Sequence, residues 1–297
     1  HRFLRDGAWK MSRLWHILCG YAVGRLAPGG VVELVCDDTL HHKTGPKVAG
    51  SGIFRDAVRS TVKKVVYARG LNLVVICLRV TPPWGGCPIA IPVNARLHRK
   101  NDQTTTIGHA ANMMREIAGW LPGRPLHLTA DGAYATLAGR LPAGAQLTCR
   151  MRRDAALYQP APPRTGRRGR PAAVIGKKPE RRPDGQRQDD PGPEASHGVA
   201  EGFQDCGSWK RQGPERAAVL SLWLHAAIWC WYLHAHPAGR TWTARPWYQH
   251  KTTPSFLDAL AALRKVLWAQ RITVMSSPSP ENTKITEALL DTLAYAA

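Results

Sequence analysis

Hydrophobic and polar positions along the first half of the chain separate short strands from longer helices. Residues 31–36 are valine-rich, follow a proline and two glycines, and are too few for a buried helix, so we predict a buried strand there. Apolar residues at three- and four-residue spacing predict helices. The same patterns give strands over 71–81, 87–93, 125–130 and 146–151, and helices over 8–26, 104–120 and 135–140. The resulting β-β-β-α-β-α order predicts an α/β fold, a mixed sheet with flanking helices.

The second half of the chain begins with a segment that lacks hydrophobic periodicity. Residues 158–198 are mainly Pro, Gly, Arg, Gln, Asp and Glu, and burial of such residues cannot offset the entropy of ordering them. Arg168 and Arg170 lie here in the motif Gly-Arg-Arg-Gly-Arg-Pro, which fits a narrow DNA minor groove or is an ordinary basic linker. We predict four parts: an N-terminal helical segment 1–29, the sheet domain 30–153, a basic linker or degraded insert 154–200, and a helical C-terminal part 201–297.

The C-terminal part is predicted to contain helices over 214–234, 256–270 and 281–296. The first of these is apolar on more than one side, and that pattern indicates burial. Ser221 and His225 interrupt its apolar run, which is shorter than the ~20 residues that a membrane span needs. We therefore expect a core helix and no membrane partner.

The charge balance narrows the class of partner. The 297 residues include 41 Lys and Arg against 21 Asp and Glu, a formal net charge of +20. An excess spread along the chain favours nucleic acid, because neutralising phosphates releases counterions. The seven cysteines are scattered and form no Cys-x-x-Cys pair, which indicates a reducing, cytosolic setting. Since the first residue is His1, we expect the sequence to start inside a longer open reading frame.

Carboxylates follow two of the predicted strands. Asp37 and Asp38 come directly after the strand 31–36, and Asp131 follows the strand 125–130. Open α/β sheets bind their ligands at the carboxyl ends of strands. Two carboxylates delivered from two strand ends are what a Mg²⁺ site for phosphoryl transfer needs. The structural alternative is that each aspartate caps a helix or anchors a turn.

A basic, glycine-bearing loop over 41–52 follows the first pair of acids. Lys43 and Lys47 fit a role in contacting phosphates. His41 and His42 are alternative metal ligands, although the sequence offers no set of Cys and His partners around them.

At this point the sequence resembles a known family. The segment 37–52, which begins Asp-Asp-Thr-Leu and continues Lys-Thr-Gly-Pro-Lys, resembles the first catalytic block of DDE-type transposases from bacterial insertion sequences. The motif Asp-Gly-Ala-Tyr at 131–134 is similar to their second block, and 247–256, continuing to Trp268, resembles their C-terminal signature. The resemblance covers most of the chain except about 165–200. It implies an RNase H-like fold for the sheet domain.

The resemblance also implies residue roles and partners. Asp37 matches the first family acid, because the pattern there is Asp, any residue, Thr; Asp38 is the fallback, and Asp131 matches the second acid. The acids would hold Mg²⁺ or Mn²⁺, and the substrate would be double-stranded DNA at transposon ends and target sites. A homodimer is left open. The basic residues expected to contact DNA, in addition to those named above, are Lys210, Arg211 and Lys251.

The third acid of the family is not found in its usual block. Glu201 is the nearest candidate, yet Gly202 weakens any helix that would carry it, and 208–218 already resembles the family segment C-terminal to that helix. The composition of 165–200 is typical of an internal deletion or a frame-shifted patch. We therefore expect Glu201 to lie outside the site. Two functions follow from the resemblance: an impaired transposase, or a catalytically inactive DNA-binding remnant. The alternative outside the family is a small membrane-associated protein that uses the apolar run 217–233.

Overall fold

A computed structural model of the chain describes residues 2–43, 45, 47–61, 63–150, 209–242, 250–275 and 289–295. Six strands and five helices carry the fold in these residues. The strands are β1 Val32–His42, β2 Gly52–Arg55, β3 Tyr67–Val80, β4 Ile89–His98, β5 Leu126–Ala130 and β6 Ala145–Cys149. The helices are α1 Arg2–Asp6, α2 Met11–Leu26, α3 Thr106–Trp120, α4 Gly213–Ala235 and α5 Phe256–Met275, together with a 3₁₀ helix Gly132–Gly139 and a helical segment over 289–295.

The six strands form one mixed sheet with β1 inside it. β1 runs antiparallel to β3 and parallel to β5, and β6 continues the parallel side. β4 and the short β2 both pair with β3 in antiparallel fashion. This mixed sheet with flanking helices and a helical C-terminal part is an RNase H-like α/β fold, as predicted.

The hydrophobic core joins the sheet to the helices packed on it. α2, α3 and α4 all contact β4, and α3 also contacts β3. Thr105 caps α3, since its side-chain oxygen accepts a hydrogen bond from the Gly108 N–H at 3.1 Å. The six described cysteines are all free thiols. The largest side chains that are fully buried include Trp15, Leu34, Leu73, Ile76, Met113, Met114, Tyr134 and Tyr232.

β1 is longer than predicted, and this changes the position of its acids. The strand was predicted to end at residue 36, but the observed strand continues to His42, because β3 pairs with it as far as the His42–Gly70 pair. Pairing with β5 stops earlier, at Cys36 and Ala130. Asp37 and Asp38 therefore lie within β1, at the point where its parallel neighbour ends.

β4 also extends beyond its predicted end. The strand was predicted to end at residue 93, but β4 runs to His98. The polar side chains of this stretch find partners on α3: Asn94 Nδ2 donates to Glu116 at 2.9 Å, and the Arg96 guanidinium donates to both Glu116 carboxylate oxygens at 2.6 and 2.7 Å. Because these contacts join residues about twenty positions apart, the local pattern could not show them.

α4 is the described helix that is long and apolar enough to cross a membrane. It spans 23 residues, so the expectation that it is too short was wrong. Its contacts are those of a core helix. Buried Arg216 donates to the carbonyl oxygens of Leu4 and Trp9, and the Trp223 indole donates to the Leu14 carbonyl. These bonds tie α4 to the N-terminal helices and support the core interpretation.

Gly70 lies where β1, β2 and β3 meet. A Cβ atom there would come within 2.3 Å of the His41 carbonyl oxygen, which is backbone and cannot swing away. We expect Gly70→Ala to lower the free energy of unfolding by about 1–3 kcal/mol. Gly119 is the matched control: it lies exposed in α3 with nothing within 4 Å of an added Cβ, so Gly119→Ala should raise stability by about 0.4–1 kcal/mol. Urea unfolding measures both, and a Gly70→Ala protein as stable as the parent would contradict the close approach.

Candidate functional site

Asp37 and Asp131 lie side by side at the end of the parallel strand pair. The last paired residues of β1 and β5 are Cys36 and Ala130, and each aspartate is the next residue along the chain. Side chains at equivalent positions of paired strands point to the same face of a sheet. The two carboxylates therefore share one face, and their strands are neighbours, as the RNase H-like fold implied.

Each of these carboxylates is held by a backbone N–H through one oxygen. Asp37 Oδ1 accepts from the Asp38 N–H at 2.8 Å. Asp131 Oδ1 accepts from the Ala133 N–H at 2.8 Å and thereby caps the 3₁₀ helix. The turn after Asp131 requires glycine at 132, because a Cβ there would lie 2.6 Å from the Arg150 carbonyl oxygen. Within the described residues, the second oxygen of each carboxylate is left for another ligand.

The electrostatics of the pair fit a cation site. Partial desolvation raises the pKa of Asp37, the hydrogen bond from the Asp38 N–H opposes this, and the negative charges of Asp38 and Asp131 raise the pKa further. Asp37 is nevertheless exposed, so an ion can reach it from solvent. A hard divalent cation bound by both carboxylates would remove the repulsion between them, and Mg²⁺ and Mn²⁺ prefer such oxygen ligands.

Asp38 points to the opposite face of β1, because side chains alternate along a strand. Its Oδ1 accepts from the Tyr134 hydroxyl at 3.2 Å, and its Oδ2 accepts from Asn72 Nδ2 at 3.3 Å. Desolvation raises the pKa of the buried Tyr134 hydroxyl, and the Asp38 charge adds to that effect, so Tyr134 remains a donor. This geometry favours Asp37 over Asp38 as the partner of Asp131.

A row of polar side chains extends along the face that carries Asp37 and Asp131. His127 on β5 bridges its two neighbouring strands: Nδ1 lies 2.9 Å from a Glu33 carboxylate oxygen, and Nε2 lies 2.8 Å from the Thr148 hydroxyl. This row was not predicted from the sequence. Its signal was present, since polar residues occupy every second position along and just after β5, at 127, 129 and 131. The buried strand predicted for 31–36 is thus buried on one face only.

No third acid completes the pair within the described part of the chain. Asp37, Asp38 and Asp131 are not among the groups of three ligands whose donor atoms all lie within 4.8 Å of one another. Glu33 shares the face of Asp37, but four residues of strand separate them, a distance of roughly 13 Å. Glu201, the sequence candidate, lies outside the described residues, so its expected position away from the site stays a prediction.

Three of the predicted DNA-contacting residues lie on two segments that a backbone hydrogen bond joins. The Ala49 N–H donates to the Trp209 carbonyl at 2.9 Å and joins the basic loop after β1 to the segment before α4. Lys47, Lys210 and Arg211 are all exposed around this junction. The Lys210 ammonium lies 4.6 Å from the Trp209 ring centroid, and Arg211 forms a surface ion pair with the α1 residue Asp6. The cluster presents positive charge to solvent.

The remaining predicted DNA-contacting residues are placed differently. The Lys251 ammonium is largely buried and directed at the Asp258 carboxylate, so in this conformation its charge is neutralised inside the protein and not presented to DNA. Lys43 is half-buried after β1, where its N–H donates to the Arg69 carbonyl. Arg168 and Arg170 lie outside the described residues.

The two histidines considered as alternative metal ligands do not join the acids. His41 is buried, and burial, together with the positive charge of His42, lowers the pKa of its ring to about 4. His42 Nε2 lies 3.1 Å from a carboxylate oxygen of Asp56. Neither histidine forms a group of metal ligands with Asp37 or Asp131 among the described residues.

Comparison with protein families agrees with this geometry. The family described as DDE superfamily endonuclease matches residues 1–197 of the 297, a range that includes both acid-bearing strands and ends before the segment 247–256. No match to a curated protein or to a solved structure accompanies it. Enzymes of this family depend on divalent metal ions and act on DNA. With two adjacent carboxylates on an RNase H-like sheet and a family match that covers about two thirds of its length, the chain belongs to the DDE superfamily endonucleases.

Proposed function

We propose that this protein is a transposase-like DNA nuclease and strand transferase of an insertion sequence, with impaired activity, acting in the bacterial cytoplasm on nucleoid DNA. Asp37 and Asp131 would hold Mg²⁺ or Mn²⁺, and the DNA would be the transposon ends and the target. The observation that carries the proposal is the pair of exposed carboxylates on adjacent strands, each with one oxygen fixed by the backbone and one available. A homodimer is the simplest assembly that could hold two DNA ends.

The residues around the pair have separable roles in this proposal. A bound divalent ion would supply Lewis-acid polarisation of a phosphate and a lowered pKa for the attacking water or 3′-hydroxyl. The backbone N–H groups of Asp38 and Ala133 fix the side chains of Asp37 and Asp131. The carboxylate oxygens of this pair are thereby oriented to bind the ion. The cluster of Lys47, Lys210 and Arg211 would contact the DNA backbone without reading sequence.

A second function, a DNA-binding remnant without activity, is favoured by one observation. Among the described residues, no third carboxylate forms with Asp37 and Asp131 a group of three ligand atoms within 4.8 Å of one another. Two carboxylates can hold one ion, but a two-metal clamp on both the attacking and the leaving oxygen needs more ligands. The two functions share the same DNA affinity and differ only in cleavage.

Metal-dependent nicking of supercoiled plasmid tests the proposed function. We expect slow nicking by the full chain in Mg²⁺ or Mn²⁺, and at least about a 10²-fold lower rate for Asp131→Asn. Asparagine is the suitable change, because its carbonyl oxygen can still cap the 3₁₀ helix through the Ala133 N–H. DNA affinity, with its steep salt dependence, should be similar in both proteins.

Each outcome of this experiment separates the two functions. DNA binding without nicking in either metal would establish the remnant and reject the nuclease. Equal nicking by the parent and by Asp131→Asn would reject the site and assign the activity to something other than this carboxylate pair.

A further inference from the structure

A second group of metal-ligand side chains lies outside the carboxylate pair. His98 is the last residue of β4, Asp102 lies in the following loop, and His109 lies in the first turn of α3. Their donor atoms all lie within 4.8 Å of one another. His109 Nε2 lies 3.7 Å from Asp102 Oδ2, and the two imidazole rings meet edge to face with centroids 5.7 Å apart.

Two ring nitrogens in this group are buried without a hydrogen-bond partner among the described residues, His98 Nδ1 and His109 Nε2. A buried polar atom left unpaired is unfavourable, and most buried polar atoms in folded proteins have a partner. An ion placed between the two rings would satisfy both nitrogens at once. The unpaired nitrogens therefore point to a ligand independently of the clustering.

The local structure holds the three side chains in place before any ion binds. The Asp102 N–H donates to the Arg99 carbonyl at 3.0 Å, and Asp102 Oδ2 accepts from the Arg99 N–H at 2.9 Å, which closes a tight turn. The Arg99 guanidinium reaches Glu215 of α4 at 2.7 Å and anchors that turn. His109 is presented by the capped first turn of α3. Such supported positions keep the binding cost low.

This group is separate from the carboxylate pair. His98 is paired with Asn72 of β3, and Asn72 in turn pairs with Leu40 of β1, two residues beyond Asp38. The group therefore lies two strands away from β1 and on the face opposite to Asp37. Its chemistry also differs: two imidazoles and a carboxylate suit a borderline ion such as Zn²⁺, whereas paired carboxylates suit Mg²⁺.

We propose that His98, Asp102 and His109 bind one divalent transition-metal ion of the zinc type. The ion links the end of β4 to the start of α3, and it is distinct from the metal that the carboxylate pair would hold. Three protein ligands leave the fourth tetrahedral position for water.

Zinc binding by the chelator-treated full chain, followed by calorimetry, tests the proposal. Using Asp131→Asn as the parent removes the contribution of the carboxylate pair. We expect one zinc ion per chain, and an affinity at least about 100-fold lower for His109→Gln and His98→Asn, since even residues that only support a ligand contribute about 10–100-fold. His234→Gln, which changes an exposed histidine of α4, should bind zinc like the parent.

A second measurement uses only the parent protein, so it does not depend on whether the histidine variants fold. X-ray absorption at the zinc edge of the loaded parent should show a nitrogen and oxygen shell with scattering from two imidazoles. A shell without imidazole, or equal zinc affinity in folded His109→Gln and His98→Asn proteins, would overturn the proposal. Failure of the plasmid-nicking test would leave this site unaffected, because none of its ligands belongs to the carboxylate pair.

Discussion

Replacing Asp37 by asparagine is expected to lower the rate of metal-dependent DNA cleavage by about 10²–10³-fold. This is the range typical for the loss of one group that stabilises charge in an active site. Asp37 shares a sheet face with Asp131, and the two residues adjoin at the end of the parallel strands β1 and β5. Asparagine keeps the size of the side chain and its hydrogen bond from the Asp38 N–H. It removes the negative charge that a divalent ion needs.

Asp38→Asn is the matched control, one residue along the same strand. Asp38 points to the other face, where it accepts hydrogen bonds from Tyr134 and Asn72. Asparagine can retain the Tyr134 bond, so we expect a loss of less than about tenfold, equivalent to about 1.4 kcal/mol or one hydrogen bond. Cleavage rates measured against metal concentration compare the two variants. An equal loss in both, with the fold intact, would contradict the assignment of Asp37 over Asp38.

The second large effect concerns stability in acid. We expect the free energy of unfolding to fall as the pH is lowered from about 6.5 towards 4. Burial lowers the pKa of His225 to about 4, and burial, with the His42 charge, does the same for His41. Their unfolded pKa is about 6.5. Because the unfolded chain then binds more protons than the folded one, stability is fully present above pH 6.5 and is lost below it, on the order of 3 kcal/mol for each histidine.

The variant His225→Leu tests the part of this loss of unfolding free energy that comes from His225. His225 is 5% exposed, its ring packs against that of Phe256 with centroids 4.1 Å apart and planes tilted by 33°, and neither ring nitrogen is hydrogen-bonded among the described residues. An apolar side chain therefore fits the site. Between about pH 7 and pH 4.5 the variant should lose roughly 2–3 kcal/mol less than the parent in urea unfolding. His234→Gln on the same helix should behave like the parent, and an unchanged acid loss in His225→Leu would contradict the buried neutral ring.

The positions of Asp37 and Asp131 show how much of the site local sequence can predict. A valine-rich run at 31–36 and an apolar run at 125–130 predicted the strands that carry them. The RNase H-like fold implied by the family resemblance predicted that these strands adjoin. The family resemblance named the same residues. The ends of β1 and β4 were not predictable, because β1 is extended by pairing with β3 and the polar end of β4 is stabilised by Glu116 of α3. Neither partner is near in sequence.

By itself, the sequence determined the fold class, the basic character and the two acid-bearing strands, because these depend on composition, periodicity and motifs within short windows. Tertiary structure decided which of Asp37 and Asp38 faces Asp131, because the face of a strand residue is set by its register with β3 and β5. It also decided that Lys251 pairs with Asp258, and that His98, Asp102 and His109 converge. Such contacts depend on how separate helices and strands pack, and the spacing of the residues along the chain does not reveal that packing.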